Sequence, residues 1–378
     1  MAWRQTKSKN DREAMHSFAP EEIIVERNSL ASPVFRRLRE TLPQALFRIV
    51  DDESADSGRS GKSEDFFGAA KTRLIVATHK GDFLKKCPGS DGQVCCNYFV
   101  INFASNCSMD CRYCYLQEYL SGNPALKVFS NTGDLLREAD ELLSKHRRFF
   151  FRIGTGEITD SLALDPYIGF SREIIPFFAE QPNTLLELKT KSDCVDDLLS
   201  IDPKNRVVVA WSMNPQAVIE LHEQGTASLE ERLAAARRCQ NAGYRLGFHF
   251  DPMIEYPGWD QDYEETLERL FATVDWRRIA WLSMGVLRIT PALKRTMRHR
   301  FPGTSLVTGE QVICPDGKLR YFQPLRVSMY RKMLGWMRRA APTTKVYLCM
   351  ESREVWQQVL GYVPSCEKEL GMQLAPSQ

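Results

Sequence analysis

Apolar residues fall along this chain in two alternating rhythms. From residue 98 onward, short β-branched or aromatic runs of strand length recur: YFVINFAS (98–105), RRFFFRIG (147–154), TLLELKT (184–190), RVVVAWSM (206–213), RLGFHFDPMI (245–254) and IAWLSMGVL (279–287). Longer amphipathic stretches lie between them, and LEERLAAARRCQNAG (229–243), ending at Gly243, is the clearest helix. Six strand–helix units in succession predict a parallel sheet with helices outside it, closed or partly closed as a barrel. In such folds the reactive groups sit at the C-terminal ends of the strands.

Upstream, EEIIVER (21–27) reads as a strand, SPVFRRLRETL (32–42) as a helix capped by Ser32, and ALFRIVD (45–51) as a second strand, together a small βαβ unit. The Gly- and Ser-rich stretch 51–65 reads as a linker, and TRLIVATHK (72–80) as a further strand leading into CPGSDGQVCC (87–96). The expected fold class is therefore α/β, in four parts. These are a flexible N-terminus (1–20), a small N-terminal α/β domain with linker (21–96), a partial (β/α)6 barrel (97–290) and a basic C-terminal substrate-binding region (291–378).

Of the 378 residues, 43% are hydrophobic and 26% charged, which excludes a disordered chain. The longest apolar runs, such as Ile279 to Leu287, fall well short of the ~20 residues that span a bilayer, so no membrane association is expected. MAWRQTKSKNDRE at the start lacks the apolar centre of a secretory signal, which predicts a cytoplasmic protein with its cysteines free or bound to metal. Net charge is only +2, yet Arg288 to Arg339 holds twelve Lys/Arg against two acids. Such a block suits a polyanion such as nucleic acid; a solvated helical face is the alternative.

The most specific chemistry lies in Cys107-Ser-Met-Asp-Cys111-Arg-Tyr-Cys114, just beyond the first barrel strand. Three thiolates can hold three irons of a 4Fe-4S cluster and leave the fourth open. That opening suits S-adenosylmethionine (SAM), whose amino and carboxylate groups can chelate iron and bring the sulfonium within reach of one electron. Two readings compete. A structural zinc site would recruit Cys95, Cys96, His79 or His146 as fourth ligand; alternatively, the three cysteines only pack. Cys87, Cys95 and Cys96 form a looser second group, read as packing thiols or another metal site, and Cys194, Cys239, Cys314, Cys349 and Cys366 are scattered.

CxxxCxxC opening a partial barrel resembles the radical SAM superfamily, and Cys111-Arg-Tyr-Cys114-Tyr-Leu-Gln is similar to the CxYCYLQ of spore photoproduct lyases, a likeness running from about residue 20 to 350. The resemblance implies a 4Fe-4S cluster and SAM as cofactors, a 5′-deoxyadenosyl radical acting on DNA that carries a pyrimidine photoproduct, and an electron donor such as flavodoxin or ferredoxin. It also implies roles for single residues. Tyr113 and Tyr115 match the tyrosines of the family's radical relay. Lys191, Ser212 and Asn214 match positions that bind SAM. Arg320 and Tyr321, in the hairpin signalled by Asp316-Gly317, would hold phosphate and stack on a flipped base.

One departure stands out. Where the family has a cysteine that returns a hydrogen atom to the product radical, this chain reads Gly154-Thr155-Gly156-Glu157, with Glu157 at the place of the thiol. A carboxylic O–H bond is too strong for that work, and Glu157 is instead expected to bind the SAM amino group. The same departure keeps open a radical SAM enzyme for another nucleic acid or nucleotide. A nucleic-acid-binding module with a structural or redox-sensing metal is the remaining alternative. His249 and Asp251 face the barrel mouth or its wall according to register.

Overall fold

The computed structural model describes residues 18–52, 65–90, 92–365 and 367–374. Most of the expected flexible N-terminus and linker lies outside these residues, as does Cys366. Strands β5 (Tyr98–Ile101), β9 (Phe151–Gly154), β10 (Thr184–Thr190), β11 (Val207–Ser212), β13 (Arg245–Met253) and β14 (Ile279–Val286) lie side by side in chain order, all parallel. These are the six expected barrel strands. Their residues are buried on both faces, as with Val207, Val208 and Val209, all fully inaccessible, which is why they read as nearly continuous apolar runs. The sheet curls into a partial barrel with helices packed outside it. The helix Leu229–Asn241 begins in a capping box, Ser228 Oγ accepting from Glu231 N and Glu231 accepting from Ser228 N, and Gly243 follows its end at φ +93°.

Two strands extend this sheet beyond the expected six. β4 (Leu84–Lys86) joins antiparallel to β5, and β18 (Val346–Leu348) joins parallel to β14. The expected C-terminal region is therefore not separate from the barrel, because it supplies the barrel's last strand. The boundary expected at residue 96 also shifts. β1 (Glu22–Glu26), β2 (Leu46–Val50) and β3 (Arg73–Ala77) form a parallel sheet that is completed by β8 (Leu126–Phe129) and β6 (Ala104–Ser105), both from beyond that boundary. The helix Pro33–Thr41 carries the expected cap, Ser32 Oγ accepting from Phe35 N at 3.1 Å.

The hairpin forms where Asp316-Gly317 signalled it. β16 (Val312–Ile313) pairs antiparallel with β17 (Leu319–Arg320), which also pairs with β15 (Arg288–Ile289). Gly317 turns the chain at φ +75°.

The basic segment is less available than its sequence implies. Arg288 pairs with Asp251, Arg300 with Asp65 and Asp110, Arg320 with Asp316, Arg326 with Glu351, Lys332 with Asp260 and Arg339 with Glu264. Among the described residues, half of its twelve cations are thus matched by acids drawn from elsewhere in the fold or from the hairpin itself.

Candidate active site

The three cysteines occupy a loop gripped from several sides. Asn106, fully buried at φ +66°, accepts from Cys107 N at 2.8 Å and donates to Pro124 O at 2.6 Å. Cys111 lies in β7 (Asp110–Cys111), which pairs antiparallel with β12 (Glu223–Gln224). Beneath the loop, Gln117 Nε2 donates to the carbonyls of Arg112 and Cys114 at 2.9 and 3.1 Å and to that of Cys111 at 3.3 Å. Arg300 fixes that amide by donating to Gln117 Oε1 at 2.6 Å while it pairs with Asp65 and Asp110. The extension from Cys114 to Gln117 is therefore a bracket for the loop. Lys71 also donates to Met109 O and Asp110.

Burial pushes all three thiols up, Cys107 to about 12 and Cys111 well above the ordinary cysteine value, and Cys107 and Cys111 both feel the charge of Cys114. Lys191 and Lys71 oppose that rise, as do N–H donors from Met109 to Cys107 Sγ at 3.4 Å and from Leu116 to Cys114. Three clustered thiols, Cys111 buried and the other two partly so, with N–H donors at Cys107 and Cys114, fit a metal-bound thiolate set, because a cationic core supplies the countercharge that burial withholds. Among the described residues no three Cys, His, Asp or Glu side chains converge as around a single metal ion.

Inside the barrel lies a polar layer. Arg152 of β9, 3% exposed, donates to Glu187 of β10 at 3.2 Å and to Tyr347 of β18 at 2.8 Å. Its guanidinium sits 4.2 to 5.2 Å from the ring centres of Trp281, Tyr98 and Tyr347, which substitute for partners that its Nε and Nη1 lack. His249 of β13 bridges Glu187 at 2.6 Å through Nε2 and Ser283 at 2.6 Å through Nδ1. Burial lowers its pKa, so the ring is neutral, donating to the carboxylate and accepting from the hydroxyl. Burial would raise Glu187, but Arg152 and His249 outweigh it and hold the carboxyl well below its usual range. Two residues further along their strands, Lys189 and Asp251 rise toward the mouth, Asp251 paired with Arg288 at 2.8 and 2.9 Å. The register thus places His249 and Asp251 inside. Charged residues two apart in otherwise apolar parallel strands are the signal for this layer.

The loop after β9 is pressed against β10. A Cβ on Gly154 would lie 1.4 Å from Tyr98 Oη, and one on Gly156 2.9 Å from Lys189 O, so only glycine fits at either position. Asp160, to which the sequence assigned no role, binds the two segments together. Its carboxylate accepts from Leu162 N, Ala163 N, Thr190 Oγ1 and Lys191 N at 2.7 to 2.9 Å, fixing where Lys191 leaves the strand.

The remaining expected site residues fall in different places. Tyr115, 42% exposed, donates to Glu157 O at 2.7 Å and borders the mouth. Tyr113 is buried and donates to Glu223, with Lys191 Nζ 5.8 Å from its ring centre. Asn214 donates to Glu223 at 2.8 Å and accepts from Tyr263 at 2.6 Å, so both ends of its amide are held by protein. Ser212 is buried, and its carbonyl accepts from Arg232 at 2.8 Å. Arg320 and Tyr321 depart from expectation. Arg320 is 1% exposed with its guanidinium locked on Asp316, and Tyr321 is 8% exposed with its hydroxyl accepting from Glu255 N at 3.1 Å. Both build the hairpin rather than face solvent. The exposed apolar side chains there are Val312, Ile313 and Phe322, to which the sequence assigned no role.

Comparison with known proteins comes out on one side. A family model described as spore photoproduct lyase matches residues 18–314. The spore photoproduct lyase of Geobacillus sp. (strain Y412MC61) is 28% identical over 298 residues, covering 77% of this chain and 85% of that protein. That of Bacillus subtilis (strain 168) is 26% identical over 300 residues, covering 78% and 86%. Among solved structures, a spore photoproduct lyase double mutant with bound AdoMet and dinucleoside spore photoproduct superposes with a TM-score of 0.78 at 25% identity, covering 88% of this chain and 99% of the other. A spore photoproduct lyase complexed with the dinucleoside lesion gives 0.77 at the same identity and coverage.

Proposed function

This chain belongs to the spore photoproduct lyase family, and from that membership we propose that it is a radical SAM lyase that repairs the spore photoproduct in DNA. The observation that carries the reading is the set of three clustered thiols, buried at Cys111 and served by N–H donors at Cys107 and Cys114, at the mouth of a partial parallel barrel. Cys107, Cys111 and Cys114 would hold a 4Fe-4S cluster, which, with SAM bound, supplies one electron and hence a 5′-deoxyadenosyl radical.

The chain's own residues bind, orient and shield. Lys191, anchored through Asp160, would pair with the SAM carboxylate, Glu157 with its amino group, and Ser212 and Asn214 line the neighbouring strand end. Tyr113 and Tyr115 would be the relay tyrosines. Tyr113 is held by the Glu223 network, and Tyr115 stands at the mouth. Exposed Ile313 and Phe322, with Arg295 and Arg298 nearby in sequence and in no ion pair among the described residues, would meet the DNA, and a low-potential protein such as flavodoxin or ferredoxin would deliver the electron. No helix of the described residues is long and apolar enough to cross a membrane.

The test is anaerobic incubation of the loaded enzyme with SAM, dithionite and the dinucleoside spore photoproduct, following lesion and product by chromatography. Conversion of lesion to undamaged dinucleotide is expected. Vigorous formation of 5′-deoxyadenosine with no lesion loss would reject the lyase activity and favour another nucleic acid or nucleotide as substrate, the reading that Glu157 motivates.

A further inference from the structure

The start of the helix Gln323–Ala340 is fixed to the rim of the barrel mouth. Arg326 donates to Tyr321 O at 2.7 Å and pairs at 3.0 Å with Glu351, which lies just past β18. Tyr330 donates to Glu351 at 2.9 Å and accepts from Val286 N, the last residue of β14, at 2.8 Å. Tyr321 accepts from Glu255 N, two residues past the end of β13. The C-terminal ends of three barrel strands thus hold this helix, and Phe322, 63% exposed, stands between it and the hairpin.

From Phe322 a groove of about 590 Å³ runs along the helix to Gln358 of the helix Arg353–Leu360. That volume lies within the range of roughly 300–1,000 Å³ that holds a single small molecule. Gln323, Val327 and Arg331 recur at helical spacing and form one ridge of its wall. The Gln323 amide makes no hydrogen bond among the described residues, and Gln358 Nε2 reaches only Glu354, at 3.4 Å. Arg331 donates through Nε and Nη2 to Gln358 O at 3.1 and 2.9 Å and pairs with no acid among the described residues, whereas Lys332 is taken up by Asp260. No carboxylate lines the groove among the described residues. An exposed aromatic ring, two amides with bonding capacity to spare and a cation without a countercharge are the parts that hold a nucleotide.

Turning a pyrimidine lesion out of the duplex into the barrel mouth strands the purines that faced it. The lesion's own strand must follow the lesion inward, but the bases opposite have lost their partners and are free to turn into a site on the rim. Resting on the lyase reading above, we propose that this groove seats an adenine of the strand opposite the lesion. Phe322 stacks on its ring, the Gln323 and Gln358 amides read its edge, and Arg331 holds an adjoining phosphate. A glutamine amide matches adenine in particular, because it can donate to N7 and accept from the N6 amino group at once. The groove begins at Phe322, which with Ile313 forms the exposed apolar surface placed against DNA above, so the seat continues that contact.

The experiment uses reconstituted enzyme with SAM and no reductant, and short duplexes that carry one spore photoproduct opposite adenines, guanines or abasic residues. Fluorescence anisotropy gives each Kd. Native enzyme is expected to bind the adenine duplex about tenfold more tightly than the abasic one and about fivefold more tightly than the guanine one. Phe322→Ala should erase most of the first ratio, and Gln323→Ala combined with Gln358→Ala should erase the second. Gln357→Ala, which alters a side chain outside the groove, should keep both. As a readout of place, 8-azidoadenine opposite the lesion should label residues 321–331 on irradiation, read by mass spectrometry. Labelling of those residues only from the lesion's own strand overturns the proposal. Equal affinity for adenine and abasic duplexes, or ratios untouched by the groove variants, overturns it as well, and lesion loss on adding dithionite to the same samples shows that the lyase reading stands without it. A base preference that follows the variants, with no lesion loss after reduction, rejects the lyase reading and leaves the groove as a seat for an unpaired adenine.

Discussion

Gln117 shows how much one buried amide can organise. It closes the turn from Cys111 to Cys114 by donating to three carbonyls, and Arg300 fixes its other end. Gln117→Leu leaves the Arg112 carbonyl without its donor and takes one donor each from those of Cys111 and Cys114, so a loss of about 1–3 kcal/mol is expected in urea unfolding, together with lower iron retention after anaerobic reconstitution. Cys111→Ala removes a ligand outright and should abolish the brown absorbance of the reconstituted protein; unchanged iron and sulfide content would mean that the ligands are other residues. Asp165 offers a test by pH. Burial raises its carboxyl to about 6, against the donors of Ser171. A carboxyl raised by folding stabilises the fold below its unfolded pKa of about 3.9, and that contribution is lost as pH rises through about 6. Relative to native, Asp165→Asn should therefore gain up to about 3 kcal/mol between pH 4 and pH 7. Thermal unfolding across that range would check this, and a constant difference would contradict it.

At the scale of elements, the two-residue ladder of β7 with β12 is what carries Cys111, and its rigidity comes from an ion pair out of water. Glu223 and Arg232 are both 0% exposed, and Glu223 also receives Tyr113 and Asn214. Arg232→Met would strand that carboxylate. A cost of about 3–5 kcal/mol and weaker cluster binding are expected, measured by denaturation and iron titration. Nothing in the sequence pattern announces this ladder, since strands of two residues have no periodicity to read and their pairing is made by distant contacts. The six barrel strands, by contrast, are legible because burial on both faces demands unbroken apolar runs, and the cysteine triad because its ligands are close in sequence. Asp160 is invisible from sequence because it acts through a hydroxyl and a backbone N–H some thirty residues away. Arg320 misleads for a related reason. A basic residue beside a turn reads as a phosphate contact until its acidic partner, four residues earlier, is seen to close on it.

For the molecule as a whole, internal pairing in the basic segment alters how it meets DNA. Were all twelve cations to contact phosphate, affinity would fall with salt at a log–log slope of about −11; the six already paired among the described residues limit the segment's share to about −5. Fluorescence anisotropy with duplex DNA at several salt concentrations should show that shallower slope, and Arg298→Gln should lessen it by about 1 if that side chain touches phosphate. The order in which the chain leaves the ribosome has a consequence of its own. The cysteine loop emerges early, but β12, which clamps it, lies more than a hundred residues later, and β18, which covers the edge of β14, comes at residue 346. Throughout that interval a nascent chain carries three reactive thiols without their scaffold and an open parallel edge ready to pair with a neighbour. Iron delivery therefore belongs after translation, and a cell that makes this enzyme must chaperone an unfinished barrel before it can arm it.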